Sequence, residues 1–193
     1  MTDINRMDGR RAGAADPAAI AAGQPALDPA STEQLLACIE LLFFAYRDFT
    51  GDPDTVLEQY GFGRAHHRVL HFVQRNPGLR VAQLLDILKI TKQSLARVLK
   101  HLLDEGFMTQ KTGPEDRRER LLFTTTKGTR LAEKLASLQL QRMSAALEGV
   151  GPDGAAAARR FLLGMIGEAD RAQIEALIMP GRNGAAALGA HKP

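Results

Sequence analysis

The sequence predicts a mainly α-helical protein that carries one small β-hairpin, and three observations support this fold class. Apolar residues recur at helical spacing through most of residues 31–178, as they do in helices that bury one face. Two of the predicted helices are short and separated by a tight turn. Two short segments of β-type residues follow them directly and enclose an arginine-rich loop. Two helices joined in this way and followed by such a hairpin form a winged helix-turn-helix.

The composition is that of a soluble globular protein, with 45% hydrophobic and 24% charged residues. No apolar run approaches the roughly 20 residues that cross a bilayer, and the N-terminus lacks the basic-then-apolar pattern of a secretory signal. We therefore expect a cytoplasmic protein without a membrane partner. The single cysteine, Cys38, excludes an intrachain disulfide and a zinc site built from cysteines.

Positive charge is concentrated in one part of the chain. Residues 80–130 hold 11 Lys or Arg against 6 Asp or Glu, whereas the remaining residues hold 14 against 16. A basic block within an otherwise mildly acidic protein indicates one surface suited to a polyanion such as DNA.

Two helices are predicted before this basic block. The first begins at Ser31, where Gln34 completes a capping box, and its apolar spacing continues to Thr50. The sequence Gly-Asp-Pro-Asp follows, and we expect it to break the helix. A short helical piece at residues 55–60 leads to the second helix, residues 64–75, which Asn-Pro-Gly ends.

Residues 81–105 predict the helix-turn-helix. The first helix, Val81–Leu88, is followed by a turn at Lys89 and Ile90 and by Thr91, which can cap the next helix. That next helix carries an apolar stripe and an opposite polar face. In the major groove of DNA, Arg and Lys can pair with guanine and Gln with adenine. The stripe consists of Leu95, Val98, Leu99 and Leu102, and the candidate DNA contacts on the polar face are Thr91, Lys92, Gln93, Ser94, Arg97 and Lys100.

A hairpin is predicted next, with strands at residues 107–111 and 120–124 around the charged stretch GPEDRRER, residues 113–120. A charge run by itself most often marks a solvated turn. Between two strands and directly after a basic helix, it is interpreted as a wing whose arginine reaches the minor groove. The candidate contacts are Arg118 in the groove, Asp116 as a carboxylate that orients a guanidinium, and Arg117 and Arg120 on the DNA backbone.

The C-terminal part is predicted to be helical again. A helix at residues 126–148 is followed by a break at 149–151 and by a last helix at 152–178, which Pro152 suits as a first-turn residue. Residues 1–30 and 180–193 show no apolar period, and we expect both to be disordered tails.

The segment ITKQSLARVLKHLLDEGFMTQKTGPEDRRERLLFTTTKGTRL, residues 90–131, resembles the recognition helix, wing and following helix of the MarR family of bacterial transcriptional regulators. The family's wing motif Asp-x-Arg falls on Asp116 and Arg118. Its helical arginine falls on Arg97, and its Thr-x-x-Gly motif falls on Thr125 and Gly128.

This resemblance implies a homodimer that binds double-stranded DNA and most often represses transcription. The first and last long helices would intertwine with those of a second subunit, and the dimer would read two half-sites about one turn of DNA apart. The implied domains are a dimerisation helix and linker at 31–60, a DNA-binding domain at 61–125 and C-terminal dimerisation helices at 126–179.

The resemblance also implies a small aromatic or anionic effector in a crevice between the dimer helices and the winged domain. Two alternatives stay open for its residues. Phe43 and Tyr46 also fit the apolar stripe of the first helix, and core packing is the favoured role for Phe43. His67 and His71 share a helical face that could hold a metal, but without a third ligand we assign neither a metal nor a cofactor. The candidate effector-binding residues are Phe43, Tyr46, Arg47, His66, His67, Arg68 and His71.

Two rival functions are also considered. Cys38 stands about where the peroxide-sensing branch of the family carries its redox cysteine, although a buried, inert thiol is favoured because no base lies near it in sequence. A dimeric helical interaction module without DNA binding is the other rival, and it gives no reason for a basic wing. An enzyme is not expected, since the sequence has no nucleophile elbow, phosphate loop or multi-ligand metal spacing.

Overall fold

A computed structural model describes residues 31–114, 116 and 118–178. It confirms the mainly α-helical fold with a small antiparallel sheet. The predictions for the tails at 1–30 and 180–193 lie outside these described residues. The elements are α1 (Thr32–Glu58), α2 (Arg64–Arg75), β1 (Leu79–Arg80), α3 (Val81–Leu88), α4 (Lys92–Asp104), β2 (Met108–Thr112), β3 (Arg120–Thr124), α5 (Thr126–Glu148), α6 (Gly151–Gly164) and α7 (Glu168–Ile178).

Helix α1 runs through the Gly-Asp-Pro-Asp sequence, so the predicted break at residues 51–54 is wrong. A proline inside a helix leaves the carbonyl four residues earlier without its usual N–H donor. In α1 that carbonyl belongs to Phe49, and the side-chain amide of Gln139 in α5 donates to it at 3.5 Å. Pro53 itself is buried. Packing of α1 against α5 therefore supplies the hydrogen-bond donor that α1 itself lacks at the Phe49 carbonyl.

The core lies where the helix-turn-helix packs on α2 and on the sheet. The predicted apolar stripe of α4 is confirmed, because Leu95, Val98, Leu99 and Leu102 are all buried. They join α2, the residues around β2 and the first turns of α5 in one hydrophobic cluster. Thr91 caps α4 as expected, since its side-chain oxygen accepts the Ser94 N–H at 3.1 Å.

The sheet has three strands in the order β1–β3–β2. The hairpin pairs Met108 with Thr124 at its base and Thr112 with Arg120 at its far end. The first hairpin strand therefore begins one residue later than predicted. Strand β1 was not predicted, and it pairs antiparallel with β3 through Leu79 opposite Leu122 and Arg80 opposite Leu121. Its two residues are too short to show a β period in sequence.

The C-terminal region contains two helices where a single one at residues 152–178 was predicted. Helix α6 ends at Gly164, and α7 begins at Glu168. The Arg171 guanidinium in α7 donates to the carbonyls of Leu163, at 3.1 Å, and Ile166, also at 3.1 Å. An arginine therefore satisfies carbonyls at the C-terminal end of α6, where helical partners are missing.

Candidate DNA-binding interface

The outer face of α4 presents the predicted DNA-contacting residues to solvent. Thr91, Lys92, Gln93, Ser94, Arg97 and Lys100 are all exposed, and the buried stripe of the same helix faces the core. The amphipathic period of the sequence is thus sufficient to place this face.

Some of these side chains are already engaged within the chain. The Thr91 hydroxyl accepts the Ser94 N–H and donates to the Ser94 hydroxyl at 2.9 Å, so both hydroxyls belong to the helix cap. Lys100 forms an ion pair with Asp104 one turn later. Lys92, Gln93 and Arg97 have no hydrogen bond or ion pair with another described residue. These three are therefore the side chains of α4 that are best placed to reach a DNA base or phosphate.

A pair of histidines joins the back of α4 to α2. His66 Nε2 lies 3.1 Å from Nδ1 of His101, and His66 Nδ1 accepts the Gly63 N–H at 3.1 Å. Burial, and secondarily His101, lower the pKa of His66. His66 is thus neutral at pH 7 with its proton on Nε2, which donates to His101. Stacking on Phe62, with ring centroids 4.7 Å apart, completes its surroundings. The sequence analysis predicted His66 as an effector-binding residue. The structure places it outside the crevice between α1, α2 and α5.

The wing is a tight loop at the far end of the β2–β3 hairpin. The Gly113 N–H donates to the Glu119 carbonyl at 3.1 Å, and the Glu119 N–H donates to the Asp116 carbonyl at 3.0 Å. The Asp116 carboxylate accepts the backbone N–H of Arg118 at 2.8 Å. The Asp116 carboxylate therefore holds the turn by bonding to the backbone. The sequence analysis had predicted that it orients a guanidinium.

The arginines of the wing face solvent. Arg118 and Arg120 are both exposed, and Arg120 also donates to the Glu119 carbonyl at 3.4 Å. Arg117 lies outside the described residues. The Arg118 guanidinium makes no ion pair with any residue that the structure describes, and it is free to bind an anion.

A second site is a crevice of about 520 Å³ between α1, α2 and α5. Four of the predicted effector-binding residues line it, and five further residues were missed. Arg64, His67, Arg68 and His71 share one face of α2, so helical spacing from Arg68 could have identified Arg64. The lining residues are Tyr46, Phe49, Thr50, Arg64, His67, Arg68, His71, Phe72 and Gln139.

Phe43 and Arg47 do not line this crevice. Phe43 is 67% exposed, so the prediction that it packs in the core is wrong for the single chain. Arg47 pairs with Asp48 at 2.8 Å, and its guanidinium lies 5.1 Å from the centre of the Phe44 ring. Cys38, expected to be buried, is partly exposed in α1.

The charge of the crevice comes from its arginines. Burial, followed by the neighbouring His71, lowers the pKa of His67, while Asp54 opposes this. Burial and then Arg75 lower the pKa of His71. Both imidazoles are therefore neutral at pH 7. Arg64 pairs with Asp54 at 2.8 Å, and Arg68 donates to the Leu88 carbonyl at 3.4 Å. Arg68 is thus the arginine of the crevice that forms no ion pair with a carboxylate among the described residues.

No helix in the described part of the chain combines the length and hydrophobicity that a membrane span needs. Among the same residues, no three His, Cys, Asp or Glu side chains come close enough together to hold a metal ion.

The fold and this surface together define a winged helix-turn-helix DNA-binding protein. A model of the MarR family matches residues 60–119. The HTH-type transcriptional regulator PetP of Rhodobacter capsulatus is 47% identical over 145 residues, which cover 75% of this chain and 87% of that protein. The chain belongs to the MarR family. It is a transcriptional regulator and not an enzyme.

Solved structures show the same fold at lower identity. A crystal structure of MarR has a TM-score of 0.56 at 21% identity, and the match covers 78% of this chain and 99% of that one. A MarR protein from Peptoclostridium difficile has a TM-score of 0.57 at 17% identity, covering 74% of this chain and 92% of the other.

Proposed function

We propose that this regulator acts as a homodimeric repressor on a pseudo-palindromic operator, with α4 in the major groove and the wing in the minor groove. The observation that carries the proposal is the set of exposed side chains without partners among the described residues, Lys92, Gln93 and Arg97 on α4 and Arg118 on the wing. Arginine and glutamine can read base edges, and a wing arginine suits the negative potential of a narrow minor groove.

The homodimer is proposed because much of the apolar surface of the long helices is not covered by any other residue that the structure describes. Exposed apolar patches of this size on a soluble protein usually mark an interaction surface. A second copy fits as the partner, since a two-fold axis would place two α4 helices on successive half-sites. The exposed residues are Leu35, Leu36, Ile39, Leu41, Leu42, Phe43, Phe44 and Tyr46 on α1, Leu140 and Met143 on α5, and Phe161 and Leu162 on α6.

DNA binding through α4 and the wing predicts distinct effects of two substitutions. We expect Arg97→Ala to weaken specific binding by about 1–3 kcal/mol and to relax base preference at one position of each half-site. Arg118→Ala should cost a similar amount and should act on A·T preference at the flanks. Selection of bound duplexes from a random library, followed by Kd measurement at fixed salt, checks both effects.

Lys134→Ala is the matched control for this experiment, because it removes one positive charge from an exposed position of α5. Its Kd should stay close to that of the parent. If the Arg97 and Arg118 variants select the same sites with the same affinity as the parent, the proposed interface is wrong. If no duplex is enriched by the parent protein, the helical interaction module without DNA binding becomes the better description.

Repression is the proposed outcome because a dimer that covers an operator blocks access of polymerase to the same DNA. Deleting the gene should then raise transcription from promoters that contain the selected sites. A fall in transcription from those promoters would identify an activator.

We also propose that a small aromatic anion binds the crevice and alters DNA binding. The aromatic rings of Tyr46, Phe49 and Phe72 line its apolar part, and Arg68 offers an unbalanced positive charge. Pockets of this kind combine apolar walls with a few placed polar groups. The crevice lies between α1 and α2, so a bound ligand would contact both the dimerisation part and the DNA-binding part.

Benzoate, as a simple aromatic carboxylate, is expected to bind more tightly than neutral benzamide in a calorimetric titration. Arg68→Gln should weaken benzoate binding about tenfold, the effect of losing one charged hydrogen bond. Binding should strengthen as the pH falls from about 7.5 to 6, because a bound anion favours the protonated forms of His67 and His71, whose pKa values are lowered in the free protein.

Arg47→Gln is the matched control, since Arg47 carries the same charge on α1 but lies outside the crevice. Equal affinities for benzoate and benzamide would contradict an anion site. An equal loss in the Arg47 and Arg68 variants would show that the ligand binds elsewhere.

A further inference from the structure

One ion pair connects the end of the wing loop to the start of the helix-turn-helix. Arg80, which ends β1 and precedes α3, places Nη1 2.9 Å from Oε1 of Glu119, the last residue of the wing loop. In the sheet Arg80 pairs with Leu121. Because side chains two residues apart project from the same face of an extended strand, Glu119 lies diagonally opposite Arg80. The pair thus connects the start of α3 to the end of the loop that carries Arg118.

The position of Glu119 determines the position of its neighbours. Its backbone makes two of the hydrogen bonds that close the loop, one with Gly113 and one with Asp116. Its Cβ lies only 2.9 Å from where a Cβ on Gly113 would be, so the loop closes tightly around it. Arg118 is the preceding residue, and its own N–H is held by the Asp116 carboxylate. A shift of Glu119 would therefore move the Arg118 backbone with it.

We propose that Glu119 is a positioning residue for DNA binding, which sets the angle of the wing through Arg80 and does not itself touch DNA. This inference rests on the proposed contact between Arg118 and the minor groove. The wing holds acidic and basic side chains next to each other in sequence, and a local Glu119–Arg118 pair would occupy the groove-binding arginine. The contact with Arg80, a residue of another element, keeps Glu119 away from Arg118.

Charge alone and wing positioning predict opposite effects of Glu119→Gln. Removal of a carboxylate close to DNA makes the surface more positive, and phosphate attraction alone would tighten binding. If the ion pair sets the wing angle, the neutral amide holds Arg80 less firmly and binding weakens in spite of the added positive charge. The side chains are 37% and 34% exposed, so solvent screens the pair and limits the size of the effect.

The test uses the full chain and a duplex that the parent protein has selected from a random library. At about 0.1 M salt we expect Glu119→Gln to raise Kd roughly fivefold, the equivalent of about 1 kcal/mol for an exposed pair. The double reversal R80E/E119R should recover most of the loss that each single reversal causes. Hydroxyl-radical protection of the minor groove at the flanks should fall with E119Q and return in the double reversal.

Asp52→Asn is the matched control, because Asp52 and Arg142 form a comparable exposed pair, at 2.8 Å, that joins α1 to α5. It also removes one negative charge, and it should not weaken DNA binding. A Kd for Glu119→Gln equal to or tighter than that of the parent overturns the inference, as does a double reversal that recovers nothing. If Arg118→Ala also binds like the parent, the wing contact itself fails, and the proposed function fails with it.

Discussion

Gly128→Ala should destabilise the protein by about 2–3 kcal/mol, although alanine normally stabilises a helix relative to glycine by up to about 1 kcal/mol. A Cβ on Gly128 would lie 1.9 Å from the carbonyl oxygen of Phe107 and 2.9 Å from its carbonyl carbon. Both atoms are backbone, so no change of side-chain rotamer can relieve the overlap. The start of α5 would have to move away from the end of the helix-turn-helix.

Several hydrogen bonds resist that movement. The Phe107 carbonyl accepts the Thr125 N–H at 3.0 Å, and the Thr125 hydroxyl donates to the Gly106 carbonyl at 2.8 Å while accepting the Gly128 N–H at 3.1 Å. Lys127 donates to the Glu105 carbonyl at 2.8 Å. The Thr-x-x-Gly motif of the family thus combines a helix cap with a close approach of two backbones.

Urea unfolding followed by circular dichroism measures the effect of Gly128→Ala. Gly51→Ala is the matched control, because Gly51 is also helical and a Cβ there would meet nothing within 4 Å. The control should be as stable as the parent or more stable, because alanine favours the helix. If Gly128→Ala is as stable as the parent protein, the backbone of α5 does not approach the Phe107 carbonyl closely enough to exclude a Cβ.

The sequence was sufficient for those parts of the fold that depend on local patterns. The stripe of α4, its Thr91 cap and the hairpin around the charged loop follow from spacing and from residue type, which act within one or two turns of chain. The same patterns placed the exposed face of α4. They did not show which side chains of this face are already engaged within the chain. The Thr91–Ser94 and Lys100–Asp104 contacts depend on rotamers that the spacing leaves open.

The incorrect predictions share a different cause. Helix α1 continues past Pro53 because Gln139, 86 residues later, donates to the carbonyl that proline leaves unpaired. Strand β1 forms only because β3 lies beside it, and the Arg80–Glu119 pair exists only because β1 forms. Long-range contacts of this kind override local propensity, and a local sequence pattern gives no signal for them.

The crevice illustrates the same limit for a site. Phe49 and Thr50 lie three and four residues after Tyr46 within the predicted first helix, so helical spacing could have assigned them to the same face, whereas Gln139 lies in a distant helix. Packing of α5 against α1 brings Gln139 to the crevice, opposite the basic face of α2. Of the five lining residues that were missed, four lie three or four residues from a predicted one on the same helix, and only Gln139 depends on a contact between distant elements.

The double variant Leu36→Glu/Phe43→Glu is expected to convert the protein to a monomer that no longer binds its operator tightly. The two residues lie seven apart on one face of α1 and are 55% and 67% exposed in the single chain. Burial of a large apolar side chain is worth about 1.5–3 kcal/mol, and a two-fold axis repeats each contribution. Loss of four such side chains, with four carboxylates in their place, should raise the dimer dissociation constant by at least about a thousandfold.

Operator affinity should fall with dimerisation, because a monomer presents a single α4 and reads a single half-site. Sedimentation velocity gives the oligomeric state, and a binding titration on the selected duplex gives the affinity. Gln59→Glu is the control, since it adds one exposed carboxylate directly after the end of α1, away from the apolar face. A double variant that stays dimeric would place the interface elsewhere. A monomeric variant with parental operator affinity would mean that one subunit is sufficient to bind DNA.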